Sequence, residues 1–414
     1  MDLCKKRRFT KKVTLMEKIY LYLTLGLTFS LPLSRAAVSF FILALGSLWL
    51  FEGDLKNKLR YIWQDKLLKS IIIFLIFTAL SLLWSSDIKE AFHILRLYSY
   101  WLALFVIATT IKKEHTQKII TFFLIAMFIS EVIAYGVFFE IWHFKSASPS
   151  NPSPFMFWID YSVFLALTSI LLFNRLLSKA YSLKEKIPLA LFFISSSTNL
   201  FLGYGRTGQV ALIVAIFVMV ALNFKLNLKS FILSILILLS LYGMAYNLSH
   251  TFKTRVNSAL SDIHKMQNLD FNSSWGIRVV YWMLTYDTLK KHPLIGVGIG
   301  DYKENMAKLL KKNTYPISAQ TALFMKSSHT HNEFLLVAMQ TGLIGLFLML
   351  NIIYKLIKMK IEDEEIKKLS TLFITIYFVS CMAEPLWLKQ FTIVLFIVFI
   401  GIFTTHSLQH RQNN

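Results

Sequence analysis

The residues best suited to chemistry are two histidines and an asparagine that come directly before a long apolar segment. His329, His331 and Asn332 lie in the sequence SSHTHNEF, and apolar residues continue from there to Ile353. An imidazole changes its charge near neutral pH, so His331 is a candidate general base. The apolar segment is long enough to cross a bilayer as a helix, and the start of a helix attracts anions. The pattern therefore predicts chemistry at a membrane–water boundary.

Other roles remain open for the same histidines. His329 and His331, two residues apart, could form half of a metal site. Zinc sites need further ligands, and only Glu333 is near in sequence, so we predict no metal. A histidine beside a helix start can also be purely structural, and the motif alone does not decide between a base and a structural residue.

Two arginines are candidates for binding an anion. Arg206 lies in LGYGRTGQVAL between two apolar segments, beside glycines that let a backbone or a ligand approach closely. Arg278 lies in WGIRVVYWMLTYDTLKKHP, which has the apolar spacing of an amphipathic helix. The planar guanidinium fork suits phosphate oxygens, and a lipid diphosphate is the anion most available there. The alternatives are an arginine that reaches the membrane interface for Arg206 and a solvated one for Arg278.

Further charged residues lie near the ends of the predicted spans. Glu384 and Lys389 are five residues apart with Pro385 between them, which is not the spacing of a helical ion pair. They are either solvated or line a cleft. The sequence leaves the roles of several more residues undecided: Arg35, Asp87, His93, Arg96 and Asp160.

Composition defines the class of protein. The chain has 414 residues, of which 55% are hydrophobic and 16% charged, and its mean hydropathy is +0.54. Such a chain is an all-α integral membrane protein. The net charge of +21 could suggest nucleic-acid binding. The basic residues lie in short segments between apolar ones, however, as membrane topology requires, and no nucleic-acid motif is present.

The apolar segments predict about twelve transmembrane helices. We place them near residues 19–33, 36–51, 68–85, 93–110, 119–138, 160–174, 188–203, 208–223, 230–247, 331–353, 369–384 and 390–405. The basic segments between them fall on one side, which predicts that both termini are cytoplasmic. Those segments are 1–18, 52–69, 111–118, 174–187, 224–229 and 355–368.

Three regions follow from this topology. Residues 1–247 would hold the first nine spans, residues 248–329 a large outer loop, and residues 330–414 the last three spans and the cytoplasmic C-terminus. The large loop would contain the helix around Arg278 and a second helix near residues 302–313. The outer segment 139–159 contains SASPSNPSPF and is predicted to be irregular.

Several motifs together resemble the bacterial O-antigen ligase family. The family pattern is a histidine, a polar residue, nine variable residues, a glycine, two residues and a small residue. Here His331 and Asn332 are followed by Gly342 and Gly345. The HPLIGVGIGDY sequence, the preceding Arg278 and the GRT sequence also look like this group. The wider group includes O-antigen polymerases and protein O-oligosaccharyltransferases.

The resemblance implies a fold and a reaction. The fold would be that of GT-C membrane glycosyltransferases, with a helical periplasmic cap over a lipid-accessible cleft. The enzyme would move a glycan from undecaprenyl diphosphate to a sugar hydroxyl of lipid A–core, with inversion and without a cofactor or metal. This would occur at the periplasmic face of the bacterial inner membrane, in lipopolysaccharide biosynthesis. Arg206 and Arg278 would clamp the diphosphate, and His331 would take the acceptor's proton. Further substrate contacts would come from Tyr204, His329, Asn332 and Lys389.

Other functions fit less well. A polymerase commonly has two arginine-rich outer loops, whereas residues 139–159 contain only Lys145 as a basic residue besides histidine. A protein O-oligosaccharyltransferase is commonly longer, with a C-terminal outer domain, whereas this chain ends nine residues beyond Thr405. A transporter of lipid-linked glycans would carry charged residues at mid-membrane, and the candidates here cluster at span ends.

Overall fold

The described part of the chain is helical. The computed structural model describes residues 2–145, 147–224, 250–312 and 314–412, with scattered residues between 232 and 247. Among these residues the only strand-like feature is an isolated bridge between Ser148 and Asn151. The all-α prediction is therefore confirmed for the described residues, and the predicted span 230–247 lies largely outside them.

The helices follow the predicted apolar segments closely. The first half of the chain forms α1 (Asp2–Ser30), α2 (Arg35–Phe51), α3 (Leu55–Gln64), α4 (Lys66–Leu80), α5 (Ile88–Tyr98), α6 (Leu102–Thr110), α7 (Thr116–Phe138), α8 (Trp158–Leu177), α9 (Leu183–Leu202) and α10 (Arg206–Phe224). The second half forms α11 (His250–Gln267), α12 (Ser274–Lys291), α13 (Tyr302–Lys312), α14 (Ala319–Ser327), α15 (Glu333–Ile357), α16 (Glu364–Cys381) and α17 (Gln390–Gln412). Four short 3₁₀ segments lie between them, at Ser81–Trp84, Ser99–Trp101, Lys113–His115 and Leu386–Leu388.

The chain is a multi-pass membrane protein. Within the described residues, seven helical segments are long and apolar enough to cross a membrane: Lys66–Trp84, Ile88–Thr110, Lys113–Phe138, Trp158–Leu177, Arg206–Asn223, Glu333–Ile357 and Gln390–Ser407. The pair α2 and α3, bent by 112°, would make an eighth. Other predicted spans are shorter or more polar than these seven segments: α2 has 17 residues, and α16 begins with EEIKK. About twelve spans therefore remains a prediction.

The large loop holds both predicted helices. α12 covers the predicted amphipathic sequence and α13 starts at the predicted residue 302, whereas α11 and α14 were not predicted. The carboxylate of Asp301 accepts hydrogen bonds from the backbone N–H groups of Ser86 (2.8 Å) and Asp87 (2.8 Å), between α4 and α5. Lys303 also pairs with Glu90 at 2.7 Å. The loop is therefore fastened to the helices. The described residues of segment 139–157 are irregular, as predicted, and α8 begins at Trp158.

An unpredicted break divides α15 at Gly342, whose φ and ψ are +65° and −164°. A break leaves backbone groups without helical partners, and within a membrane these groups must find others. The segment 293–298 supplies them. The carbonyl groups of Pro293 and Leu294 accept from the N–H groups of Leu343 and Ile344 at 2.9 and 3.1 Å. The N–H groups of Val297 and Gly298 in turn donate to the carbonyl groups of Met339 and Gln340, both at 2.9 Å. The large loop is thus built into the α15 helix.

Replacing Gly342 with alanine should destabilise the protein. A Cβ atom there would lie 2.3 Å from the carbonyl carbon of Leu294, and a positive φ costs other residues about 1–3 kcal/mol. We expect a lower melting temperature for the purified variant. Gly46→Ala is the matched control, because nothing lies within 4 Å of a Cβ at Gly46 inside α2. Equal melting temperatures for the two variants would contradict the role of the break.

Candidate functional site

The segment before α15 holds His331 in an unusual backbone conformation. Its φ is +48°, in the left-handed region that costs free energy for a residue with a Cβ atom. Its neighbours fix this conformation. Asn332 is the N-cap of α15, where its side-chain oxygen accepts from the N–H of Leu335 and its amide donates to the carbonyl of Met382 at 3.0 Å. Thr330 donates to the carbonyl of Asn332 at 2.8 Å. These contacts therefore fix the backbone to which the imidazole of His331 is attached.

Glu384 is the centre of the site. Its side chain is only 1% exposed, and its Oε2 lies 2.9 Å from Nδ1 of His331. Its Oε1 lies 3.2 Å from Nε2 of His329 and 2.7 Å from Nζ of Lys389. Lys389 also lies 2.9 Å from Oδ1 of the buried Asp160. The sequence left Glu384 and Lys389 as either solvated or cleft-lining residues, and the structure shows that both are engaged in a buried cluster.

Trp387 explains why Glu384 and Lys389 point into this cluster. Its side chain is fully buried, with ring centroids 5.0 Å from Trp101 and 5.4 Å from Phe74. Its backbone N–H donates to the carboxylate of Glu333 at 2.8 Å. The connection between α16 and α17 is therefore anchored between the two charged residues.

Burial and charge set the protonation of the cluster. Burial alone would raise the pKa of Glu384, but its contacts with His329, His331 and Lys389 outweigh this and hold the pKa well below the usual value. Burial lowers the pKa of His331, against the opposing effect of Glu384. Burial would also lower the pKa of Lys389, but Asp160 and Glu384 raise it. At neutral pH the site thus pairs an ionised carboxylate with a neutral His331.

This pairing determines which nitrogen of His331 is free. When Nδ1 carries the proton and donates it to Glu384, Nε2 keeps its lone pair and can accept a proton. A carboxylate that orients a histidine in this way also stabilises the imidazolium that forms when the histidine takes a proton. The geometry is therefore that of a general base with its orienting carboxylate.

α12 brings Arg278 to the same cluster. Tyr281, one turn further along this helix, has its ring centroid 6.0 Å from that of His331. Arg278 is half-buried and interacts electrostatically with both Glu384 and His331. Its Nη1 donates to the carbonyl of Ser274 at 2.8 Å. Burial lowers the pKa of Arg278, which remains a cation because arginine titrates far above neutral pH. A guanidinium thus lies beside the candidate base.

Arg206 lies at a helix start that joins the same end of the bundle. It is the first residue of α10, and Gly205 and Gly208 on either side of it pack against α8. A Cβ at Gly208 would lie 2.0 Å from the carbonyl oxygen of Ser162, and its N–H donates to the Ser162 hydroxyl at 3.1 Å. Tyr204 meets Trp158 of α8 edge to face, at 6.3 Å. Asp160 lies between Trp158 and Ser162 in the first turn of α8, so this turn contacts both the start of α10 and the cluster.

The undecided residues separate into two groups. Asp160 and Glu384 belong to the cluster. Arg35, Asp87, His93 and Arg96 are exposed. Asp87 caps α5 through the N–H of Glu90 at 2.9 Å, and Arg35 lies over the ring of Phe391 at 5.3 Å. Sequence reasoning missed Tyr281 as a neighbour of His331, although its position three residues after Arg278 places both on adjacent parts of one helix face.

Three of these residues have the donor types of a metal site. The candidate ligand atoms of His329, His331 and Glu384 lie within 4.8 Å of one another. Two histidines and a glutamate are a known zinc ligand set. The ammonium of Lys389 lies 2.7 Å from one of the carboxylate oxygens, however, and a dication would have to approach that charge. The residues fit a hydrogen-bonded acid–base cluster better than a cation site.

Residues 190–350 match the model of the O-antigen ligase family. The protein is therefore a polytopic membrane protein that is similar, over this segment, to O-antigen ligases. The match covers less than half of the chain, and it confirms the resemblance to the O-antigen ligase domain family over that segment. The matched segment contains Arg206, Arg278 and His331, whereas Asp160, Glu384 and Lys389 lie outside it. No curated protein matches the chain closely enough to count as a relative.

Proposed function

We propose that this protein is an O-antigen ligase that transfers a glycan from undecaprenyl diphosphate to a sugar hydroxyl of lipid A–core. The observation that carries the proposal is the pairing of His331 with the buried Glu384 at 2.9 Å, beside Arg278, within and next to the family segment. The enzyme would have a GT-C fold with about twelve spans. Both termini would lie in the cytoplasm and the cluster at the periplasmic face of the inner membrane.

The reaction requires a base and stabilisation of a leaving group. The acceptor hydroxyl attacks the anomeric carbon of the first sugar, opposite the diphosphate, which inverts the configuration. Nε2 of His331 takes the hydroxyl proton, and the bond between the anomeric carbon and the diphosphate oxygen breaks. Undecaprenyl diphosphate leaves with the bonding electron pair. Glu384 keeps His331 in the required tautomer and stabilises the imidazolium.

The arginines act on the leaving group. The diphosphate gains negative charge as the bond breaks, so fixed cations near it stabilise the transition state more than the ground state. We assign this role to Arg278, beside the base, and to Arg206, at the adjoining start of α10. Tyr204, near Arg206, and His329, near Arg278, would also contact the substrate. The contacts of Asn332 with α15 and of Lys389 with two carboxylates favour supporting roles for these two residues.

A polymerase would use the same donor and the same base. One observation favours the ligase: the irregular segment 139–159 offers Lys145 as its only lysine or arginine, and this ammonium lies over the rings of Phe144 and Phe155, at 5.2 and 5.4 Å. A second cationic loop for a growing glycan chain is therefore lacking in this segment.

Deletion of the gene from its own bacterium, followed by gel analysis of lipopolysaccharide, tests the proposal. A ligase deletion should remove the O-antigen ladder while lipid-linked polymer accumulates. A core carrying a single repeat would instead identify a polymerase, and an unchanged ladder would contradict both. The wild-type gene supplied in trans should restore the ladder.

A further inference from the structure

A continuous chain of charged groups runs from α8 to the candidate base. Oδ1 of Asp160 lies 2.9 Å from Nζ of Lys389, and this nitrogen lies 2.7 Å from Oε1 of Glu384. The other oxygen of Glu384 lies 2.9 Å from Nδ1 of His331. Asp160 and Glu384 are 2% and 1% exposed, so neither carboxylate has access to bulk water. Three separate parts of the sequence thus meet in one line of contacts.

Stability alone is a poor explanation for this chain. Taking charges out of water costs several kcal/mol for each ion, and an apolar replacement of a buried ion pair is often neutral or stabilising. The ring of Phe157 covers the ammonium of Lys389 from 5.2 Å, which shields the pair from solvent further. A buried lysine between two carboxylates is more readily explained by the position that it imposes on them.

We propose that Asp160 and Lys389 are positioning residues for the base, acting through Glu384. A lysine bound to Glu384 alone would compete with His331 for the carboxylate. The Lys389 cation helps to keep Glu384 ionised. Asp160 shares the ammonium, so that one oxygen of Glu384 stays available to His331. α8 also packs on the glycines beside Arg206, through Ser162. The first turn of α8 therefore contacts both the chain of charged groups, through Asp160, and the glycines beside Arg206, through Ser162. This inference rests on the proposed function.

The charged and titratable groups around this chain come from several elements. His329, Arg278 and Tyr281 face His331, and Arg35 and Glu333 interact electrostatically with the carboxylates or the lysine. All of them are unchanged in the variants below, so a change in pH dependence reports the altered residue.

Two neutral variants of similar size test the inference, Asp160→Asn and Lys389→Met. Activity is measured as transfer from a polyprenyl-diphosphate-linked glycan to lipid A–core by the purified full-length protein. Both variants should lower kcat by about ten- to a hundredfold and leave the donor KM unchanged, because a misplaced base slows the proton transfer without weakening binding. Lys389→Arg should retain most of the turnover.

The pH profiles should separate the two variants. Loss of the Lys389 cation favours the imidazolium, so the acid limb of kcat should move to higher pH in Lys389→Met. Loss of the Asp160 anion disfavours the imidazolium, so the acid limb of kcat should move to lower pH in Asp160→Asn. If the two residues had a purely structural role, both variants would have a lower kcat, but the acid limb of each would stay at the wild-type pH. Lys367→Met is the matched control, because Lys367 forms an exposed pair with Glu364 elsewhere.

Each outcome has a defined meaning. A donor KM that rises in Lys389→Met would make Lys389 a substrate-binding residue and overturn the inference. Wild-type kcat and unmoved acid limbs in both variants would also overturn it. If a variant is poorly folded, as judged by its melting temperature, Asp160→Glu and Lys389→Arg provide the comparison. A wild-type protein that transfers no glycan would refute the proposed function instead.

Discussion

Replacing Arg278 with alanine is expected to lower glycan transfer by about a hundred- to a thousandfold. Removing one group that stabilises developing charge typically costs about 3–4 kcal/mol of transition-state free energy. Arg278 is half-buried beside Glu384 and His331, so its charge acts in a site of reduced solvent screening. In cells, the variant should stay in the membrane while polymer attached to lipid A–core disappears.

Two variants control this measurement. Arg60→Ala removes an exposed arginine from α3 and should retain full transfer. Arg278→Lys keeps the charge without the planar fork and should give an intermediate rate. Lipopolysaccharide that is capped at the wild-type level in the Arg278→Ala strain would remove Arg278 from the mechanism.

Replacing His331 with alanine should lower turnover by about a hundred- to ten-thousandfold, which is the usual contribution of a general base. Binding of the donor should change little, because Arg206 and Arg278 are expected to hold the diphosphate. Single-turnover transfer and donor binding, measured separately on the purified variant, check this expectation. His292→Ala, in which an exposed histidine after α12 is lost, should match the wild type.

The pH dependence gives the same base an independent signature. His331 can accept a proton only when it is neutral, so kcat should be highest above the pKa of His331 and should fall as the pH drops through that pKa. Burial lowers this pKa from the ordinary value of 6.5, so the acid limb should lie below pH 6.5 in the wild type. A flat profile across that range, with or without His331, would exclude His331 as the base.

Local signals in the sequence identified much of the site. Asn332 is a good N-cap residue before an apolar segment, so the start of α15 could be placed from adjacent residues alone. The helix around Arg278 likewise follows from the spacing of its own apolar residues. Both features depend on interactions between near neighbours, which the sequence displays directly.

The remaining features depend on contacts between distant residues. Glu384 follows its partner His331 by 53 positions, and Lys389 follows its partner Asp160 by 229 positions. Spacing cannot show that such residues meet. The break at Gly342 is similar, because it is tolerated only where the segment 293–298 satisfies the freed backbone groups. A glycine in an apolar helix gives no sign of the segment that will pack against it.

The most direct test of the central claim is transfer by the purified protein in the presence of EDTA, from a polyprenyl-diphosphate-linked glycan to lipid A–core. The claim is that His331, oriented by Glu384, acts as a proton acceptor. It predicts full transfer in EDTA and a large loss of turnover in Glu384→Gln. Loss of transfer in EDTA that zinc restores would instead show that His329, His331 and Glu384 bind a metal, and would contradict the proposed mechanism.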